Sequence, residues 1–129
     1  MGELELDRVR QCAVALPEVT ERLSHGAPCF FVRDTRPLCY FHDRDFDDRA
    51  RVSVMCPAAA GVADGLLRAR PTRFHRPAVS ANGVFRDWLG LFLDESDSDR
   101  RDWDEVADII EDAYRLVAPK HLVARLDAD

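Results

Sequence analysis

A chain of 129 residues carries one domain's worth of sequence, long enough to bury about two thirds of its unfolded surface. With 47% apolar and 33% charged residues it has the composition of an ordinary soluble domain, and no apolar run approaches the ~18–20 residues that cross a bilayer. A net charge of −6 argues against indiscriminate coating of nucleic acid. The acidic start Met1-Gly2-Glu3-Leu4-Glu5, followed by Asp7-Arg8, predicts neither a secretory leader nor a myristoylation site.

The first predicted element is a helix over Glu3 to Leu16, with Leu6, Val9, Ala13 and Leu16 at three- and four-residue spacing and Pro17 as its stop. Glu18 to Pro28 reads as a polar connector in which His25-Gly26 and Pro28 turn the chain into a strand. Three strands follow, at Cys29 to Arg33, Leu38 to His42 and Arg51 to Cys56. The Asp34-Thr35-Arg36-Pro37 break makes a hairpin of the first two. The charged Asp43-to-Arg49 connection belongs in solvent.

Pro57-Ala58-Ala59-Ala60 opens a second helix, which continues through Ala63, Leu66, Leu67 and Arg70 and stops at Pro71. Gly61 and Gly65 each weaken it by ~1 kcal/mol relative to alanine, which predicts another backbone packed closely against them. Phe74 to Val79 and Phe85 to Leu93 read as two strands joined by Ser80-Ala81-Asn82-Gly83, where Asn-Gly signals a tight hairpin. Asp102 with Glu105 three positions later forms a capping box. The helix it opens has Trp103, Val106, Ile110, Ala113, Tyr114 and Val117 on its apolar face. Pro119 interrupts, and Lys120 to Leu126 gives a short final helical turn. No repeat or linker divides the chain, so residues 1–129 form a single α+β domain, an antiparallel sheet with packed helices.

Charge is unevenly distributed. From Asp94 to Asp129 twelve acids face five basic residues, whereas between Gly65 and Arg86 there are five arginines and no acid. Arg68, Arg70, Arg73, Arg76 and Arg86, interleaved with Phe74 and His75, form the candidate nucleic-acid contact. Guanidinium groups would meet phosphates while an aromatic ring stacks on a base. The bland alternative is that these arginines solvate a helix end and pair with the acidic C-terminal third.

Other constellations carry less. His25 near Cys29 lacks an orienting third group and reads as a turn histidine beside an apolar thiol. Cys39, His42 and Cys56 could converge as soft metal ligands, but Cys39 and His42 are three apart in a strand and point to opposite faces. Cys12, Cys29, Cys39 and Cys56 show no short metal-ligand spacing and are expected as free thiols in a cytoplasmic setting. Trp88 and Trp103 read as core anchors. The acids Asp99, Asp104, Asp108, Glu111 and Asp112 read as a solvated helix face. No glycine-rich phosphate cradle occurs. No catalytic residue, metal site or cofactor is therefore expected.

Taken together, several pieces match a family. They are Leu16-Pro17-Glu18; Ser24-His25-Gly26 with Pro28 and Phe30; Pro77; Gly83…Trp88-Leu89-Gly90-Leu91…Leu93-Asp94; Asp102-Trp103-Asp104-Glu105; and Tyr114-Arg115-Leu116-Val117-Ala118-Pro119-Lys120. In order and spacing the chain resembles the MmcQ/YjbR family of small bacterial proteins from about Leu4 onward. The resemblance implies an α-β(3)-α-β(2)-α fold like that of small secretion-chaperone domains, and DNA binding through a double-wing arrangement. The sequence departs from the family pattern at Met55, where a lysine is frequent, and at the neutral Ser80–Gly83 tip, where relatives are often basic.

The leading expectation is thus a non-enzymatic, cytoplasmic DNA-binding domain using the arginine segment. The alternative is a protein- or small-molecule-binding module, using the sheet face or a cleft beside that segment. A continuous positive surface would favour the first. An apolar concavity lined by Phe30, Tyr40 and Phe74 would favour the second. Oligomeric state is left open.

Overall fold

The structure, a computed structural model, describes residues 3–24, 26–42, 52–77, 86–93 and 100–128. Within them the order is α1 (Glu3–Val14), β1 (Val19–Ser24), β2 (Ala27–Val32), β3 (Arg36–His42), β4 (Ser53–Pro57), α2 (Val62–Ala69), β5 (Phe74–His75), β6 (Trp88–Phe92), α3 (Arg100–Val117) and α4 (Lys120–Ala128). The strands form one antiparallel sheet in the order β1-β2-β3-β4-β6-β5. This is the expected α+β domain, with one more strand than the sequence patterning suggests.

The extra strand is β1, taken as connector above. It pairs with β2 along its full length, Val19 opposite Val32 through Ser24 opposite Ala27. Its residues Val-Thr-Glu-Arg-Leu-Ser sit at the sheet edge and are largely exposed, so charge replaces the apolar pattern that marks an inner strand. Gly26 closes this hairpin at φ 79, a conformation glycine adopts at little steric cost. Between β2 and β3, Arg33 and Asp34 both have positive φ and the Thr35 amide donates to the Val32 carbonyl at 3.2 Å. Two positive-φ residues at the centre of this turn suit the twist of a hairpin, with Thr35 completing a three-residue connection. It lies one residue earlier than read, and Pro37 falls inside β3 beside an irregularity at Phe30/Phe31.

Alternation sorts side chains onto two faces. Phe30, Val32, Cys39, Phe41, Val54, Cys56, Leu89 and Leu91 face the helices, where Val9 and Ala13 of α1, Ala63 of α2 and Trp103, Val106, Ile110, Ala113 and Tyr114 of α3 complete the main core. Tyr114 is fully buried and its hydroxyl donates to the Pro17 carbonyl at 2.8 Å, which fixes α3 against the turn leaving α1. On the opposite face Cys29, Phe31, Tyr40 and Met55 form a second buried cluster with Trp88 against it. Trp103 is therefore a main-core residue, while Trp88 is partly buried on the other side, 5.9 Å from the Tyr40 ring.

Other boundaries differ for local reasons. Pro57 ends β4 opposite Trp88 and does not start α2. Gly61 holds the α2 N-cap at φ 85 with no side-chain cap. A Cβ at Gly61 or Gly65 would meet no atom within 4 Å, so the close backbone approach expected there does not exist. α3 begins at Arg100, which places Asp102 within the helix and not at its cap. The strand expected over Phe74 to Val79 is two residues long in the described part, and the Ser80–Gly83 hairpin lies outside the described residues.

Among the described glycines, the one that does meet a neighbour is Gly90. It pairs with His75 across β5–β6, and the His75 ring, stacked on Phe92 at 4.5 Å, occupies the space a Cβ at Gly90 would need. We predict that Gly90→Ala lowers stability by about 1–3 kcal/mol in urea unfolding, because the ring must leave its packed position. His75→Ala in the same chain should recover much of the loss. A Gly90→Ala loss below about 0.5 kcal/mol would contradict this packing.

Candidate functional site

The arginine segment is shaped by the way α2 ends. The Arg70 amide still donates to the Leu66 carbonyl at 2.8 Å, and the Arg73 and Phe74 amides both donate to the Arg70 carbonyl, at 3.1 and 3.3 Å. This tight turn through Pro71 and Thr72 reverses the chain into β5, where the Phe92 amide donates to the Arg73 carbonyl at 2.9 Å. A segment turned this sharply cannot show all its side chains to one partner.

Phe74 is 1% exposed and belongs to the core, opposite Leu91. Arg73 is 7% exposed, and its Nη1 donates to the Phe92 carbonyl at 2.8 Å while Nε lies 3.6 Å from the Glu105 carboxylate of α3. Arg70 meets the same carboxylate at 2.5 Å and stands 5.2 Å from the Phe74 ring centroid. Arg76 pairs with Asp64 of α2. His75 lies on Gly90 within the sheet. Arg68 and Arg86 are exposed and pair with no acid among the described residues. The segment therefore separates into a buried pair, two neutralised arginines, a sheet-bound histidine and two exposed cations.

Glu105 bridges Arg70 and Arg73 and does not serve as the reciprocal member of a capping box. This links α2 and β5 to α3, since Arg70 and Glu105 are far apart in sequence. Phe30 and Phe74 are core residues and Tyr40 is on the opposite face of the sheet, so these three line no common concavity.

The remaining candidates resolve simply. His25 lies outside the described residues. Cys29 is buried, and desolvation pushes its thiol up to about 11, with the hydrogen bond from Tyr40 opposing that rise. A thiol shifted this way holds its proton at neutral pH, the reverse of an activated nucleophile. Cys56 is pushed up to about 12 by burial, and Cys39 rises for the same reason. Cys39 faces the helices, while His42 lies on the other face, stacked along β3 on Tyr40 at 6.3 Å and 11°. Among the described residues no three His, Cys, Asp or Glu side chains are grouped to hold a metal ion, and the four cysteines are free. No helix among them is long and apolar enough to cross a membrane.

A feature that sequence reasoning missed is a groove between α2 and α3. Its deeper part, of about 200 Å³, is floored by Pro57, Ala58, Ala59 and Leu89 and walled by Val62 and Leu66 on one side and Ile109 and Leu116 on the other. Val62 and Leu116 remain 42% and 50% exposed at its lips. The groove widens along α3 into a more open stretch of about 500 Å³ that shares Val62, Leu66, Ile109 and Asp112 and adds Asp104, Glu105 and Asp108. The signal available beforehand was the row Asp104, Asp108 and Asp112 next to Ile109 and Leu116, which sequence alone assigns to solvent.

The model of the YjbR family matches residues 14–116, a span that starts at the last residue of α1 and ends one residue before the end of α3. No curated protein and no solved structure matches the chain. The match covers well over half of the sequence and joins the Leu16-Pro17-Glu18 turn to the Tyr114 anchor it contacts. The chain belongs to the YjbR family.

Proposed function

We propose that this domain acts by binding and not by catalysis, and that its ligand is a protein segment seated in the groove between α2 and α3. The observation that carries this reading is the exposure of Val62 and Leu116 on opposite lips of one apolar cleft. Two large aliphatic side chains held in water cost free energy that covering them would recover, at roughly 25 cal/mol per Å².

Nile red, a neutral apolar dye, tests whether this surface is the accessible one. Its fluorescence should rise with the wild-type protein and fall by at least about threefold with Val62→Ser/Leu116→Ser; both positions are exposed, so the circular dichroism of the double variant should match wild type. An unchanged signal in the double variant would place the apolar surface elsewhere and remove this reading.

A second reading, DNA binding of the kind the family resemblance implies, is favoured by the exposed guanidinium groups of Arg68 and Arg86. With Arg70 and Arg76 neutralised and Arg73 buried, its described electrostatic footprint is about two phosphates and not the four or five expected from sequence. Counterion release then gives a slope of log affinity against log salt near −1.8, about a tenfold loss for a fourfold rise in salt. Gel-shift titrations that yield a slope near −4 would show the full segment at work. Absence of binding at low salt would end the DNA reading.

A further inference from the structure

The groove has a charge as well as a shape. Asp104, Asp108 and Asp112 follow one another at four-residue spacing along α3, all three exposed, and all three line the open part of the groove. Their neighbours in acid character are already engaged, Glu105 by Arg70 and Asp64 by Arg76. The three aspartates form no ion pair among the described residues. Like charges at this spacing repel and weaken an isolated helix, an effect only partly offset where Asp112 attracts Arg115. Beside it run the apolar side chains Val62, Leu66, Ile109 and Leu116.

We propose that the occupant of this groove is a cationic amphipathic helix from a partner protein. This deepens the protein-binding reading and rests on it. The argument is charge complementarity laid over an apolar floor. Asp104 to Leu116 spans about 18 Å of helix, three to four turns, at 1.5 Å per residue. A partner helix of similar length lying between α2 and α3 would place aliphatic side chains at i, i+3, i+4 and i+7 over Ile109, Leu66 and the two lips. Lysine or arginine at four-residue spacing on its flank would then meet the aspartate row. The same row excludes acidic helices by repulsion, and that repulsion supplies discrimination the apolar floor cannot. Duplex DNA, with its negative phosphates, is turned away from this face for the same reason.

The test uses the full chain and a fluorescein-labelled 14-residue helix of leucine and lysine, amidated and acetylated, read by fluorescence anisotropy. Two control peptides replace every lysine by glutamate or every leucine by serine. We expect the leucine–lysine helix to bind at least about tenfold more tightly than either control, and Asp104→Asn/Asp108→Asn/Asp112→Asn to cost about tenfold and remove most of the salt dependence. Val62→Ser/Leu116→Ser should weaken binding by a similar factor with the salt dependence kept. Equal binding of the glutamate peptide, equal binding of the serine peptide, or an unaffected triple variant would each overturn the proposal. If the peptides fail while the Nile red response to Val62→Ser/Leu116→Ser persists, the groove stands and the cationic-helix partner falls. Sedimentation showing a wild-type dimer that dissolves in Val62→Ser/Leu116→Ser would assign the groove to a second copy of this chain and overturn it equally.

Discussion

The constraint on which most of this structure turns is the burial of one guanidinium group. Taking a charge out of water costs several kcal/mol unless hydrogen bonds and an opposite charge offset the loss. Arg73 has part of each: the Phe92 carbonyl accepts one hydrogen bond from Nη1, and the Glu105 carboxylate supplies the opposite charge 3.6 Å from Nε, while the buried Nε and Nη2 make no hydrogen bond among the described residues. That requirement ties three separate parts of the chain together. The turn after α2, the last residue of β6 and the second turn of α3 must sit where Arg73 can reach them. The short β5 strand begins at the next residue, and Arg70 engages the same carboxylate.

The functional consequence is a redistribution of charge. The stretch that looks most suited to phosphate is divided: Arg73 and Phe74 are buried, Arg70 and Arg76 are paired with acids at the surface, and Arg68 and Arg86 stay exposed. The acids that do the neutralising, Glu105 and Asp64, leave a separate row of aspartates facing outward beside an apolar groove. The groove face between α2 and α3 is thus acidic and apolar, where the arginine segment suggested basic and aromatic. The partner we propose for such a face is a cationic amphipathic segment.

The parts of the fold that were legible in the sequence are those where burial imposes a pattern. Val9 and Ala13 mark α1, Phe30 and Val32 mark β2, and Val106, Ile110, Ala113 and Tyr114 mark the buried stripe of α3. Edge strand β1 was not legible, because residues such as Glu21 and Arg22 need no apolar partner at a solvated edge; Glu21 is held instead by a bidentate contact from Arg10 of α1. Gly61 and Gly65 suggested close packing by composition, yet that role falls to Gly90, whose requirement comes from a ring on the neighbouring strand. The groove was invisible for a related reason. It exists where α2 meets α3, and periodicity within one helix cannot show what stands opposite it.

The central claim is that Arg73 belongs to the fold and not to a ligand surface. Urea unfolding of Arg73→Met, Glu105→Gln and the double variant tests it most directly. The account predicts losses of about 2–4 kcal/mol for Arg73→Met and 1–2 kcal/mol for Glu105→Gln, with the double variant less destabilised than their sum by more than about 1 kcal/mol. Single variants within about 0.5 kcal/mol of wild type and strictly additive would contradict it, and would return Arg73 to the list of side chains free to meet a partner.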